Sequence, residues 1–105
     1  MKTRKRRSDR MHLIYALTNM ATNEKYVGMA VCIDRSGKET LAARWCRHVG
    51  RAKHQNKNWS LCKSIRKHGP QAFSQEIIEF VRGKAEAHAR ETEIKKTGKY
   101  ALNTA

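Results

Sequence analysis

Residues 13 to 28, LIYALTNMATNEKYVG, constrain the fold more than any other stretch, because two apolar runs that each carry a tyrosine flank a short polar loop. Leu13-Ile14-Tyr15-Ala16-Leu17 and Tyr26-Val27-Gly28 have strand-like composition, and Asn19 through Glu24 supply the Asn and Thr side chains that favour a turn. The expectation is a β-hairpin with Tyr15 and Tyr26 on neighbouring strands. Two facing tyrosines serve as a core pair or as a reactive pair, and the hairpin alone does not choose between them.

The chain has 105 residues, 39% of them hydrophobic, which suits one compact domain with a small core between one sheet and a few helices. That is an α+β expectation. A net charge of +14 is extreme for this length and favours a polyanionic partner, most simply nucleic acid. A membrane is the competing partner, but no apolar run approaches the roughly 20 residues a span needs, and no strongly apolar stripe accompanies the basic residues. Cys32, Cys46 and Cys62 are odd in number, widely spaced and without a CxxC pair, so reduced thiols are expected rather than a disulfide framework or a zinc ribbon. The opening MKTRKRRSDR lacks the apolar segment of a secretory signal, which predicts a cytoplasmic protein.

The charges are not spread evenly. Residues 1 to 11 read as a flexible basic arm in which Arg4, Lys5, Arg6 and Arg7 can follow phosphates, and 12 to 105 as a single domain. After a polar loop over 29 to 39, a helix is predicted from Thr40. Leu41, Trp45, Val49 and Ala52 make its apolar stripe, and Arg44, His48 and Arg51 form the adjacent ridge. A second helix is predicted over about 58 to 67, with Trp59, Cys62 and Ile65 at helical spacing and His68-Gly69-Pro70 as its stop. No acid occurs between Thr40 and Gln75, whereas Arg47, Arg51, Lys53, Lys63, Arg66 and Lys67 accumulate there. Those six are the candidate nucleic-acid-binding residues of the domain.

Residues 72 to 81, AFSQEIIEFV, predict a third strand apolar on both faces, with Phe73, Ile77 and Val81 on one and Ile78 and Phe80 on the other. A last helix follows over about 85 to 96. On it Glu86, Arg90 and Glu93 can form an exposed ion-pair ladder, whereas Glu91 shares its ridge with Ala87 and Ile94 and so lies toward the packed side. A glutamate there needs a partner or a metal. Lys95 at i+4 and His88 at i−3 are the structural partners; a divalent cation is the chemical one.

Phosphodiester hydrolysis needs a cation to polarise the phosphate, a base to activate water, and positive groups to hold the developing charge. One misplaced carboxylate, two tyrosines and the Arg44/His48 ridge supply such a set. A lone carboxylate suits Mg²⁺, which keeps most of its waters, while a two-metal site would need more clustered acids.

Taken in order, these segments resemble the GIY-YIG endonuclease family. LIY at 13 to 15 and YVG at 26 to 28 resemble its two half-motifs, ARWCRHVGRAK its arginine-bearing helix, SLCKSIRKHGPQAFSQEIIEFV its second helix and third strand, and EAHARETEI with Asn103 its glutamate helix and terminal asparagine. The resemblance covers about residues 12 to 104. It implies three antiparallel strands flanked by helices, and Mg²⁺- or Mn²⁺-dependent cleavage of one DNA strand per active site. Tyr15 and Tyr26 would sit at the water and scissile phosphate, with Tyr26 slightly preferred as general base. Arg44 would bind the phosphate, His48 would lie near the leaving side, Glu91 would hold the metal and Asn103 would support the site.

Three departures accompany the resemblance: Leu13 stands where the family name has its first glycine, the segment from Gly28 to Arg44 is longer than usual, and Lys95 occupies a place usually apolar. A stand-alone, phage-encoded or mobile nuclease fits this pattern, located in the cytoplasm of its host, and choosing a DNA site would call for a second copy or a separate specificity partner. The alternative is a non-catalytic nucleic-acid-binding protein that keeps the same basic fold; a basic ribonucleoprotein component is a third reading.

Overall fold

A computed structural model of the chain describes residues 10–54, 60–97, 100 and 102. Three strands, β1 (Met11–Asn19), β2 (Lys25–Val31) and β3 (Phe73–Arg82), form one antiparallel sheet in the order β2-β1-β3. Three α-helices accompany it: α1 (Lys38–His54), α2 (Ser60–His68) and α3 (Lys84–Lys95), with a short 3₁₀ turn at Pro70–Ala72 between α2 and β3. The architecture is α+β, as the composition predicts. None of the described helices is long and apolar enough to cross a membrane.

β1 is central because it is apolar on both sides. Leu13, Tyr15 and Leu17 face the layer of α1 and α2, while Ile14 and Ala16 face the opposite side, and all five are at most 2% exposed. Burial of side chains as large as Leu13, Ile14 and Leu17 contributes about 1.5–3 kcal/mol each. The first layer also buries Leu41, Ala52, Leu61, Cys62, Ile65, Phe73 and Leu102, with Trp45 stacked obliquely on Phe73 at 5.3 Å between ring centroids. The second is covered by α3, whose Ala87 is fully buried and whose Arg90 reaches Glu79 of β3.

Several boundaries move from their sequence-based positions. The sheet begins at Met11, inside the segment assigned to the arm, and the carbonyl of Arg10 accepts from Gly83 N–H at 2.9 Å. β2 continues three residues past Gly28, because Met29, Ala30 and Val31 pair with Ile14, Leu13 and His12. Helix α1 starts at Lys38 rather than Thr40. Asp34 reaches forward to accept from the N–H groups of Glu39 and Thr40 and from the Thr40 hydroxyl, and Gly37, at φ 77°, makes the bend that allows it. The Thr40 hydroxyl above all, with the Ser36 hydroxyl and these N–H groups, holds the half-buried Asp34 carboxyl down to about 2 against a smaller desolvation penalty. The start of α2 at Ser60 follows residues 55–59, so the part of its expected span at 58 and 59 lies outside the described residues.

The face assignment of β3 is the main correction. Tyr15 pairs with Ile77 but Ile14 pairs with Glu79, so Ile78 is an extra residue in a β-bulge. Past the bulge the alternation reverses: Phe80 pairs with Leu13 and joins Phe73 and Ile77 on the α1/α2 side, while Val81 moves to the other face. Ile78 is left 37% exposed and Phe80 44%. The ion-pair ladder on α3 is corrected as well, since Arg90 bonds Glu93 at 2.9 Å and, in place of Glu86, Glu79 of the sheet at 2.9 Å.

Candidate active site at the free edge of β2

As the outer strand, β2 leaves one edge unpaired, and helices on both sides of the sheet send side chains to that edge. Tyr15 lies opposite Gly28, and Tyr26 lies opposite Leu17, so the two tyrosines share a face on a diagonal. Their ring centroids are 6.3 Å apart with planes inclined at 40°. Gly28 makes this possible: a Cβ built on it would sit 2.5 Å from the Tyr15 hydroxyl and 2.6 Å from its Cζ. The Tyr15 ring occupies the volume a side chain at 28 would need.

From α1, His48 Nε2 is 2.8 Å from the Tyr15 hydroxyl in a buried hydrogen bond, and its ring meets Tyr26 edge-on at 5.2 Å. One turn earlier, Arg44 Nη2 donates to the carbonyl of Met29 at 3.2 Å, which satisfies part of the open edge of β2. Among the described residues, the buried Arg44 Nε has no acceptor. Arg47 and Arg51 line the same cleft from α1. From α3, Glu91 closes it; the residue is 8% exposed, and Lys95 Nζ holds its Oε1 at 2.7 Å. Of the two structural partners expected for this glutamate, Lys95 is the one present.

The protonation states follow from burial. Burial, with Tyr26 second, pushes the Tyr15 phenol well above its ordinary range. The Tyr26 phenol is raised too, by burial and then by Glu91, against the opposing charges of Lys95, Arg44 and Arg51. His48 is pushed down to about 4 by burial and by Arg51 and Arg44. At neutral pH the centre therefore holds two protonated phenols and a neutral imidazole. A His48 tautomer with a bare Nε2 accepts the Tyr15 proton.

Tyr15, Tyr26, Arg44, Arg47, His48, Arg51 and Glu91 thus surround one cleft of about 180 Å³. Lys53, Lys63, Arg66 and Lys67 are exposed on α1 and α2 and do not line it. Arg66 has a packing contact, donating from Nη1 to the Ala52 carbonyl at 3.1 Å and so tying α2 to α1. Asn103, Arg4, Lys5, Arg6 and Arg7 lie outside the described residues. Sequence reasoning missed Gly28 as a spacer; its signal was a glycine in a strand interior, one that the hairpin pattern treats as a mere terminus. Cys32, Cys46 and Cys62 are free thiols.

No group of three or more His, Cys, Asp or Glu side chains converges among the described residues. The donor set is one carboxylate with phenolic oxygens beside it, which fits Mg²⁺ or Mn²⁺ shared between one acid and a substrate phosphate, not a cage built by protein alone. Comparison with protein-family models, with curated proteins and with solved structures finds no match for this chain.

Proposed function

We propose that the chain is a metal-dependent DNA endonuclease of the GIY-YIG type, nicking one strand per active site. The observation that carries this reading is convergence. Tyr15, Tyr26, Arg44, His48 and Glu91 come from β1, β2, α1 and α3, are spread over most of the chain, and line one cleft in a strongly positive molecule.

In this reading Arg44 meets the scissile phosphate with the part of its guanidinium that lines the cleft, with Arg47 and Arg51 adding charge. Water attacks phosphorus as the bond to the leaving oxygen breaks. The water proton passes to the Tyr15 hydroxyl while that hydroxyl gives its own proton to His48 Nε2, and the leaving oxygen takes a proton from solvent. The 2.8 Å bond between Tyr15 and His48 supports Tyr15 over Tyr26 as the proton acceptor, which reverses the preference drawn from the resemblance. Bound phosphate offsets Arg44 and Arg51, two of the groups that depress His48, and so makes the imidazole a better acceptor when substrate is present. Tyr26 is left to orient water and phosphate. Glu91 would hold Mg²⁺ or Mn²⁺, which when bound supplies positive charge to the phosphate. The reading carries with it a cytoplasmic location and the need for a second copy or a specificity partner to choose DNA sites.

Supercoiled plasmid with Mg²⁺ tests it. The wild type should give open circles, and Glu91→Ala and Tyr15→Phe should each slow nicking by about a hundredfold or more, with Tyr26→Phe less affected. A wild type that never nicks, or a Glu91→Ala variant that nicks equally well, removes the proposal. The second reading, a non-catalytic nucleic-acid-binding protein, draws on the Glu91–Lys95 ion pair, which gives the carboxylate a purely structural partner. It requires salt-sensitive gel shifts and no nicking from any variant.

A further inference from the structure

A second groove adjoins the cleft and shares Arg44 and Arg47 with it. It follows the open edge of β2 past Ala30 and Val31 to Ile33, with Thr40 and Ala43 of α1 along its other side and Arg10 also lining it. Its volume is about 300 Å³, at the lower end of the roughly 300–1,000 Å³ of clefts that hold small organic ligands. Two kinds of surface line it. Ala30, Val31, Ile33 and Ala43 present hydrocarbon, whereas Arg10, Arg44 and Arg47 present positive charge, and no carboxylate is among the lining residues.

The wall of this groove is held in place. The Thr40 hydroxyl accepts from Ile33 N–H at 2.8 Å and donates to Asp34 Oδ1 at 2.7 Å, so the segment from β2 into α1 is fixed through one side chain. Apolar floor beside cationic wall matches the two halves of a nucleotide, a base with a flat face and a phosphate with a negative charge.

We propose that this groove is a subsite for the nucleotide next to the scissile phosphate, and that it takes that nucleotide unpaired. The proposal rests on reading the cleft as a phosphodiester site. With the scissile phosphate on Arg44, the next phosphate along the strand falls toward Arg47 and Arg10, and the intervening base covers the apolar floor. A paired base keeps its faces stacked on its neighbours and cannot cover that floor. A base leaves the stack at least cost where pairing is already absent. The substrate class is therefore DNA with an unpaired nucleotide beside the cut, as in a bulge, a flap or a single-strand junction.

Fluorescence anisotropy of the full chain without divalent metal tests this independently of cleavage. Two labelled duplexes are compared, one fully paired and one with a single unpaired nucleotide. The wild type should bind the second at least about fivefold more tightly. Ala43→Glu places an acid in the groove and should erase the preference. Ala42→Glu makes the same charge change at the neighbouring exposed residue, which does not line the groove, and should keep it. Equal binding of both duplexes by the wild type, or a preference that survives Ala43→Glu, overturns the subsite, as does equal loss in both variants. Plasmid nicking by the same preparation reports separately on the cleft: equal binding with nicking removes the subsite alone, whereas a groove-dependent preference without nicking supports the groove and removes the cleavage reading.

Discussion

The sheet has two open edges, and they differ in everything except hydrogen-bonding need. At β2 the edge is dressed with arginine: Arg44 takes the Met29 carbonyl, Arg47 and Arg51 stand beside it, and a buried Tyr15–His48 pair lies behind. At β3 the edge carries a bulge, the exposed Ile78 and Phe80, and the acids Glu76 and Glu79. Bulges and charges are the usual means by which an outer strand is kept from pairing with another chain. Five of the nine acids lie on β3 and α3, and of these only Glu91 lines the cleft of Arg44, Arg47 and Arg51. The difference teaches where charge gathers in a chain of net charge +14: Arg44, Arg47 and Arg51 line the β2 edge, whereas Glu76 and Glu79 stand on the β3 edge.

Substitutions can break or sharpen that contrast. The largest effect, on stability and nicking together, belongs to Gly28→Ala, because the new methyl collides with Tyr15 where the ring is buried and hydrogen-bonded. A loss of about 1–3 kcal/mol in urea unfolding, with nicking reduced as far as in Tyr15→Phe, is expected. If Gly28→Ala nicks normally, the two residues do not share that space.

His48 comes next. Its folded-state value of about 4 lies below the ordinary 6.5, so its contribution is fully present above pH 6.5 and is lost as pH falls toward 4. Linkage puts that loss at about 3 kcal/mol. Melting curves across this window should fall steeply for the wild type and less so for His48→Gln, and parallel profiles would remove the buried neutral imidazole from the account.

A smaller effect is expected at Lys95. Its ion pair with Glu91 must loosen for the carboxylate to hold a metal, and half-exposed pairs are weak, so Lys95→Met should lower the Mg²⁺ concentration for half-maximal nicking about two- to fivefold. A rise in that requirement would make Lys95 a helper of the site, not a competitor. Smallest of all is Glu79→Gln at the other edge, which breaks an exposed contact with Arg90 and should leave both melting temperature and nicking unchanged.

Much of the site was legible because it rests on local periodicity. The spacing of Arg44, His48 and Arg51 and the position of Glu91 beside Ala87 are helical facts, and the two tyrosines follow from one hairpin. Features that depend on a single residue in three dimensions were not legible. Counting by twos along 72 to 81 misassigns Phe80 and Val81, because one bulged residue, Ile78, reverses every face that follows it. The early start of α1 was hidden since its capping carboxylate, Asp34, lies four residues ahead of the helix and acts across Gly37. Lys95 was recognisable as a partner for Glu91, but only the structure separates it from His88.

Asn19 links distant parts of the molecule. Fully buried, it accepts from the N–H groups of Ala21 and Thr22 and donates to Ser64 of α2, 45 residues away, while Met20 N–H bonds the carbonyl of Ala72. The hairpin turn is thus latched to α2 and to the segment that follows it. In hydrogen exchange the amides of Met20, Ala21 and Thr22 should open together with those of α2, so a tip that looks like a loose surface loop would report the rupture of the helical layer.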